Sequence, residues 1–90
     1  MKPTGHELID ACIKRHMAED ETVLLADDLE PAFMAIGRQF NRPIAIYSQR
    51  KVMKILMRQG MSREEAEEYF SYNIAGAFVG DQTPVFLQDE

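Results

Sequence analysis

The segment from Gly60 to Phe86 constrains the fold more than any other part of the chain. Ser62 and Glu65 form an S-x-x-E capping box, in which each side chain satisfies an amide left unpaired at the start of a helix. Apolar residues then recur at helical spacing, and Gly76 ends the pattern. The segment therefore predicts a helix from Ser62 to Gly76, then a turn and a short strand over Thr83–Leu87.

Two earlier segments carry helical patterns with similar start and stop signals. Thr4 and Glu7 form another capping box, and the apolar stripe behind it predicts a helix over Thr4–Glu19. Ser48 is placed to cap a third helix. That helix should end at Gly60, because glycine readily adopts the left-handed conformation that closes a helix.

The middle of the chain is interpreted from shorter apolar runs. TVLLA over Thr22–Ala26 and PIAIY over Pro43–Tyr47 predict two buried strands. Between them, four apolar residues recur at spacings of four, three and four: Leu29, Phe33, Ile36 and Phe40. This pattern predicts a helix that begins at Asp27 or Asp28 and ends near Asn41. A strand, a helix and a strand in that order predict a right-handed crossover between parallel strands.

These elements together predict an α+β fold, with a small three-stranded sheet packed by about four helices in the order α-β-α-β-α-α-β. Ninety residues form one domain, residues 1–90. The last strand should lie at an edge, because Pro84 cannot donate to a ladder. A domain of this size removes only about two-thirds of its surface from water, which favours assembly into a homo-oligomer.

Composition points to a cytoplasmic protein. The hydrophobic share is 46% and the charged share is 28%, which is typical of a globular domain. No apolar run is long enough to span a bilayer, and the N-terminal residues lack a signal-peptide pattern. Cys12 is the single cysteine, so no internal disulfide can form and a reducing compartment is expected.

The positive charges are concentrated in one part of the chain, because no acidic residue occurs from Pro31 to Arg63. One interpretation is a surface on which basic and acidic segments face each other; the other is a basic face that binds an anion. Arg50 and Lys51 would oppose the dipole of the helix they begin, and a bound phosphate would offset that cost. The candidate ligand-binding residues are Arg38, Arg42, Tyr47, Ser48, Arg50, Lys51 and Lys54.

The motifs of several function classes are missing from the sequence. There is no nucleophile elbow and no phosphate-binding glycine loop, and GAFVG follows a helix where a phosphate loop would precede one. The Cys12–His16 and His6–Asp10 pairs supply too few ligands for a structural zinc site. We therefore expect a non-enzymatic protein without metal or cofactor. The net charge of −5 disfavours nucleic acid as a partner.

Three stretches between Leu25 and Phe86 carry a family resemblance: LADDLEPAFMAIGRQF, PIAIYS and ILMRQGMSREEAEEYFSYNIAGAFVGDQTPVF. They are similar to a family of small, uncharacterised proteins from tailed bacteriophages, prophages and their bacterial hosts. The family pattern combines a PxAxY strand, a GMSxEEAxEYF helix, an NxxGAxVG turn and a TPxF ending. The chain departs from it at Asp28, where the family usually has glycine, and at Ser48, where it usually has an acid. The resemblance implies a phage-encoded or prophage-encoded cytoplasmic protein, which would lie in the host cytoplasm if a phage encodes it.

Two functions follow from these observations. The first is a non-enzymatic phage accessory protein that binds and modulates a host protein, such as a defence protein. The alternative is a binding module that sequesters a phosphorylated small molecule, such as a signalling nucleotide, with the basic residues of the 38–54 stretch. The sequence leaves both open.

Overall fold

A computed structural model describes residues 5–26, 28–74, 80 and 82–88, without the side chains of residues 5 and 6. Three α-helices and three strands are present in these ranges. They are α1 (Gly5–His16), β1 (Phe33–Gln39), β2 (Arg42–Ser48), α2 (Gln49–Arg58), α3 (Arg63–Tyr69) and β3 (Val85–Leu87). A 3-10 turn over Glu30–Ala32 precedes β1, and a π-helical turn over Phe70–Ile74 continues α3. The predicted α+β class and three-stranded sheet are confirmed.

The sheet has the order β1-β2-β3, with β2 in the centre. β1 and β2 form an antiparallel hairpin, in which Phe33 pairs with Tyr47 and Gln39 with Arg42. β3 pairs parallel to β2 over three residues and forms an edge, as the proline before it predicts.

The helix predicted between Asp28 and Asn41 is wrong, because most of this segment is strand β1. The register shifts between Phe33 and Ala35, which is a β-bulge. The extra residue places Phe33 and Ile36 on the same face of the sheet, although they are three apart. A bulged strand therefore reproduces the spacing of a helix. Asp27, the other predicted helix start, lies outside the described residues.

The strand predicted over Thr22–Ala26 is also wrong, because this segment is an irregular connection. Val23 and Ala26 pack against the core, whereas Leu24 and Leu25 are exposed. The predicted parallel crossover is replaced by the β1–β2 hairpin.

The helix signals at both ends of α2 are confirmed. Ser48 Oγ accepts a hydrogen bond of 3.2 Å from the amide of Lys51. At the other end the amide of Gly60 donates to the Met57 carbonyl and that of Met61 to the Leu56 carbonyl. This pair of bonds is a Schellman motif, and Gly60 supplies its left-handed residue with φ of 103°.

The remaining helices agree with their sequence signals. α1 lies within the predicted Thr4–Glu19, although Thr4 itself is outside the described residues. The capping box of α3 is complete, since the Glu65 amide donates to Ser62 Oγ and the Ser62 amide to Glu65 Oε1. The hydrogen bonds with Ser62 lower the pKa of the Glu65 carboxyl. No helix in the described part of the chain is both long and apolar enough to cross a membrane.

The core lies between one face of the sheet and the helices. Its buried members are Ile9, Leu29, Ala32, Phe33, Ala45, Tyr47, Val52, Leu56, Ala66 and Phe70. Phe86 of β3 stacks on the Tyr47 ring and meets the Phe70 ring edge-on. This aromatic cluster attaches the short edge strand to the rest of the fold.

The β1–β2 hairpin closes with a two-residue turn that has an unusual residue. Phe40 and Asn41 both have positive φ, of 52° and 62°, as a type I′ turn requires. Asparagine tolerates this conformation, whereas a bulky residue is strained in it. Phe40 is also 78% exposed, so its ring gains little from burial.

Replacing Phe40 by Asn should stabilise the fold. The left-handed conformation costs about 1–2 kcal/mol for an ordinary residue, so relief of part of this cost should raise the free energy of unfolding by about 1 kcal/mol. Urea denaturation followed by circular dichroism measures the change. Gly60→Ala is the matched control and should lower the free energy of unfolding, because it introduces a side chain at positive φ. A Phe40→Asn variant less stable than the wild type would contradict the turn assignment.

Candidate functional site

A groove of about 530 Å³ runs between α2, α3 and the residue after β3. Its lining combines cations, methionines and amides: Gln49, Arg50, Met53, Lys54, Met57, Arg63, Glu67 and Gln88. A depression of 490 Å³ beside Leu24 and Leu25 is of similar size, but none of the described residues that line it is cationic.

The periodicity of α2 arranges the groove. Val52 and Leu56, four residues apart, are buried in the core. Each is followed by a methionine, so Met53 and Met57 form a parallel row at the edge of the buried stripe. Arg50 and Lys54 repeat the same spacing and line the same groove. One face of a short helix thus carries an apolar row beside a cationic row.

The described lining of the groove is more cationic than the rest of this acidic protein. Among the described lining residues, Arg50, Lys54 and Arg63 are cationic and Glu67 is acidic, whereas the chain as a whole carries −5. Arg63 Nε lies 3.4 Å from Glu67 Oε1, one helical turn away on α3. Their side chains are 81% and 58% exposed, and an ion pair in this setting contributes about 0–1 kcal/mol. An anionic partner can therefore compete for Arg63.

The structure brings two of the seven sequence-predicted residues into this groove, Arg50 and Lys54. Lys51 is exposed on α2 but does not line it. Tyr47 and Ser48 are buried, at 0% and 1% exposure. Tyr47 packs in the core and Ser48 caps α2, so the structure gives both residues architectural roles.

The other two predicted residues lie at the opposite end of β2. Arg42 begins this strand and Ser48 ends it, a separation of roughly 20 Å at about 3.3 Å per residue. Arg38 pairs with Arg42's neighbour Pro43 across the hairpin. The basic stretch of the sequence is therefore divided between two distant sites.

Arg38 has a structural partner. Its two terminal nitrogens each donate a 2.7 Å hydrogen bond to one carboxylate oxygen of Glu21, and Nη2 also donates to the His16 carbonyl at 3.1 Å. This bidentate geometry is the strongest form of a charge-assisted pair. It joins β1 to the end of α1 and to the connection that follows.

Sequence reasoning missed six lining residues: Gln49, Met53, Met57, Arg63, Glu67 and Gln88. The methionines had a visible signal, because they flank the buried stripe of α2 at helical spacing. Arg63 belongs to the acid-free stretch, and its place opposite Arg50 follows only from the reversal of the chain at Gly60. Gln88 had no signal, because the parallel pairing of β3 determines its position.

The described residues contain no cluster of three or more histidine, cysteine, aspartate or glutamate side chains that could hold a metal ion. No protein-family model, curated protein or solved structure matches the chain.

The ion pair with Arg38 should lower the pKa of the Glu21 carboxyl. The hydrogen bonds from Arg38, and secondarily from the Ala18 amide, lower the pKa of Glu21 from 4.5 to about 2. A depressed carboxylate pKa stabilises the fold above the unfolded value, and this contribution disappears as pH falls from 4.5 through about 2. Arg38→Ala should return the Glu21 pKa toward 4.5, as measured by carboxyl carbon NMR. Arg42→Ala, which removes a cation from the same hairpin, should leave it near 2.

Proposed function

We propose that the protein is a non-enzymatic binding module whose α2–α3 groove receives an acidic, partly apolar segment of a partner protein. The observation that carries the proposal is the parallel arrangement of Met53 and Met57 with Arg50 and Lys54 along one helix. Methionine and arginine are both enriched in protein interfaces. Methionine also adapts its shape to a partner's side chains.

The shape of the groove favours a polypeptide over a small molecule. The row from Gln49 to Met57 is roughly 12 Å long at 1.5 Å per residue, about two helical turns. Its walls are open to solvent, since Met57 is 45% exposed and Arg63 and Glu67 more so. Small-molecule sites bury about 70–90% of the ligand surface, which an open groove does not provide. An amphipathic helix or strand needs only one face covered.

The charges and the methionines have different tasks in this proposal. Exposed cations are screened over about 8 Å at physiological salt, so they mainly select acidic partners and speed association. Burial of the methionine side chains supplies most of the affinity.

The resemblance to phage and prophage proteins supplies the biological setting of the proposal. A small phage accessory protein in the host cytoplasm acts on a component of the host, and a surface groove without a catalytic constellation suits binding. We therefore propose a host protein, such as a defence protein, as the partner that is modulated.

A phosphorylated small molecule is the second candidate for the same groove. Three cations around one cavity favour it, because arginine and lysine are the usual ligands of phosphate groups. Arg38, Arg42, Tyr47 and Ser48 do not contribute to it, since they lie elsewhere or are buried.

Selection from a displayed peptide library tests the proposal. Wild-type protein should enrich peptides in which acids alternate with apolar residues at helical or strand spacing. Arg50→Glu with Lys54→Glu should weaken binding of those peptides at least about tenfold, since it reverses both charges of one wall. The loss should shrink at high salt.

The matched control reverses two cations outside the groove, Lys14→Glu with Arg15→Glu on α1, and should leave peptide binding unchanged. If both double variants lost the same peptide affinity, the loss would come from the change in net charge, and this would contradict binding at the groove. Native mass spectrometry after incubation with a panel of nucleotides distinguishes a phosphorylated small-molecule ligand from a peptide ligand. A retained phosphorylated ligand that is lost only in the Arg50 and Lys54 variant would favour the small molecule.

A further inference from the structure

Strand β1 forms one edge of the sheet, so its backbone has a neighbouring strand on one side only. On that side it pairs with β2, and Arg38 stands opposite Pro43. Opposite residues of an antiparallel pair alternate between those that exchange two backbone hydrogen bonds and those that exchange none. Proline has no amide hydrogen, so Arg38 and Pro43 form a pair of the second kind. The N–H and C=O of Arg38 therefore point away from β2.

The same alternation orients the neighbours of Arg38. Gly37 and Ile44 form a pair that exchanges hydrogen bonds, whereas Ile36, two residues before Arg38, repeats its outward orientation. Within the described part of the chain, no backbone hydrogen bond from a turn or loop reaches Ile36 or Arg38. We call the outward N–H and C=O groups of these two residues the free edge.

The two edges of the sheet differ in how far they are protected. Natural sheets protect their edges with short strands, proline, charged side chains or bulges. β3 has three residues and directly follows Pro84. β1 has seven, and because its bulge lies at its start, residues 36–39 pair with β2 without interruption. The charge of Arg38 is engaged by Glu21. The edge at β1 is therefore left open to another strand.

The free edge specifies the chemistry of its occupant. Its two donors and two acceptors repeat every second residue, about 6.8 Å apart along the strand. A helix has already used its backbone groups internally, whereas an extended chain presents donors and acceptors at the same repeat. The occupant is therefore a β-strand.

The pattern of the free edge is complementary to itself. Ile36 and Arg38 lie symmetrically about Gly37. When two copies run antiparallel about a two-fold axis at Gly37, Ile36 of each copy stands opposite Arg38 of the other, and all four groups of each edge are paired. The two Gly37 residues then meet at the close position of the ladder, about 4.5 Å between Cα atoms. Neither has a side chain that would crowd this position.

Charge permits the pairing of two copies. No residue of β1 is acidic, although the chain carries −5. In the two-fold register Arg38 stands opposite Ile36 rather than opposite a second arginine. Its own charge is balanced by Glu21 through two hydrogen bonds of 2.7 Å. A second copy therefore offers the matching groups in the required register without placing like charges opposite each other.

We propose that two copies of the chain pair through the free edges of β1 and form a homodimer. The two sheets join into one six-stranded sheet with the order β3-β2-β1-β1-β2-β3. The two-fold axis is perpendicular to this sheet, so the helices of both copies cover the same face. Each α2–α3 groove includes Gln88, which follows β3, so the two grooves lie toward the outer ends of the joined sheet.

Amide hydrogen exchange at several protein concentrations tests the proposal, together with sedimentation equilibrium. The mass should rise from 10.3 kDa to twice that value as concentration increases. The amides of Ile36 and Arg38 should exchange at least about tenfold more slowly in the dimer, because they gain hydrogen bonds there. The Gly37 amide is the internal control. It is bonded to β2 in the monomer already, so its rate should change less.

A pair of variants at Arg38 isolates the backbone group. Arg38→Pro removes the outward amide and no donor to β2, and it should raise the dimer dissociation constant at least about tenfold, because two symmetry-related hydrogen bonds are lost. Arg38→Ala is the matched control, since it removes the same side chain and its bonds to Glu21 but keeps the amide. Its dissociation constant should stay close to that of the wild type. Near-ultraviolet circular dichroism shows whether each variant keeps its packed core.

Three results would overturn the proposal. The first is a wild type that stays monomeric at millimolar concentration, including one whose edge amides become protected only when a strand of another protein is added. The second is a dimer in which the exchange of Ile36 and Arg38 slows no more than that of Gly37. The third is a dimer that Arg38→Pro and Arg38→Ala weaken equally. The exchange measurement uses the wild-type protein, so it decides the proposal even if Arg38→Pro unfolds.

Discussion

Tyr47 holds together the parts of the fold that are far apart in the sequence. Its ring packs edge-on against Phe33 of β1 at 5.7 Å between centroids and stacks on Phe86 of β3 at 5.6 Å. Its hydroxyl accepts a 2.8 Å hydrogen bond from the amide of Ala26, in the connection after α1. A buried amide without a partner costs about 1–3 kcal/mol. One side chain therefore contacts both edge strands and the irregular segment after α1.

The groove follows from the position of β2. Because Tyr47 and Ala45 point into the core, Ile46 must point to the other side of the sheet. Because β2 ends at Ser48, which caps α2, the helix starts at a fixed place and orients its methionines toward α3.

The sequence predicts the helix ends correctly, because the interactions that form them involve neighbouring residues. The caps at Ser48, Ser62 and Gly60 depend on residues only a few positions away, and all three helix ends were predicted. The structure of the segment from Thr22 to Asn41 could not be predicted from the sequence, because a bulge in β1 imitates helical spacing. In addition, the Ala26 amide donates its hydrogen bond to the hydroxyl of Tyr47, which is 21 residues away.

The candidate site shows the same difference between local signals, which are visible in the sequence, and long-range contacts, which are not. A run of cations is visible in a sequence, but whether they meet depends on the length of β2, which separates Arg42 from Arg50. The partner of Arg38 is Glu21, and no periodicity links these residues. Conversely, Arg63 joins the groove only because the chain reverses at Gly60.

Hydrogen exchange in a Tyr47→Phe variant tests the central role of Tyr47 most directly. This change keeps the ring and removes only the hydroxyl that bonds the Ala26 amide. The Ala26 amide should exchange much faster in the variant, and the free energy of unfolding should fall by about 1–3 kcal/mol. The amides of β1 and β2 should keep the same ranking of exchange rates. Unchanged exchange at Ala26 would contradict this role of Tyr47, because the connection after α1 would then be held independently of its hydroxyl.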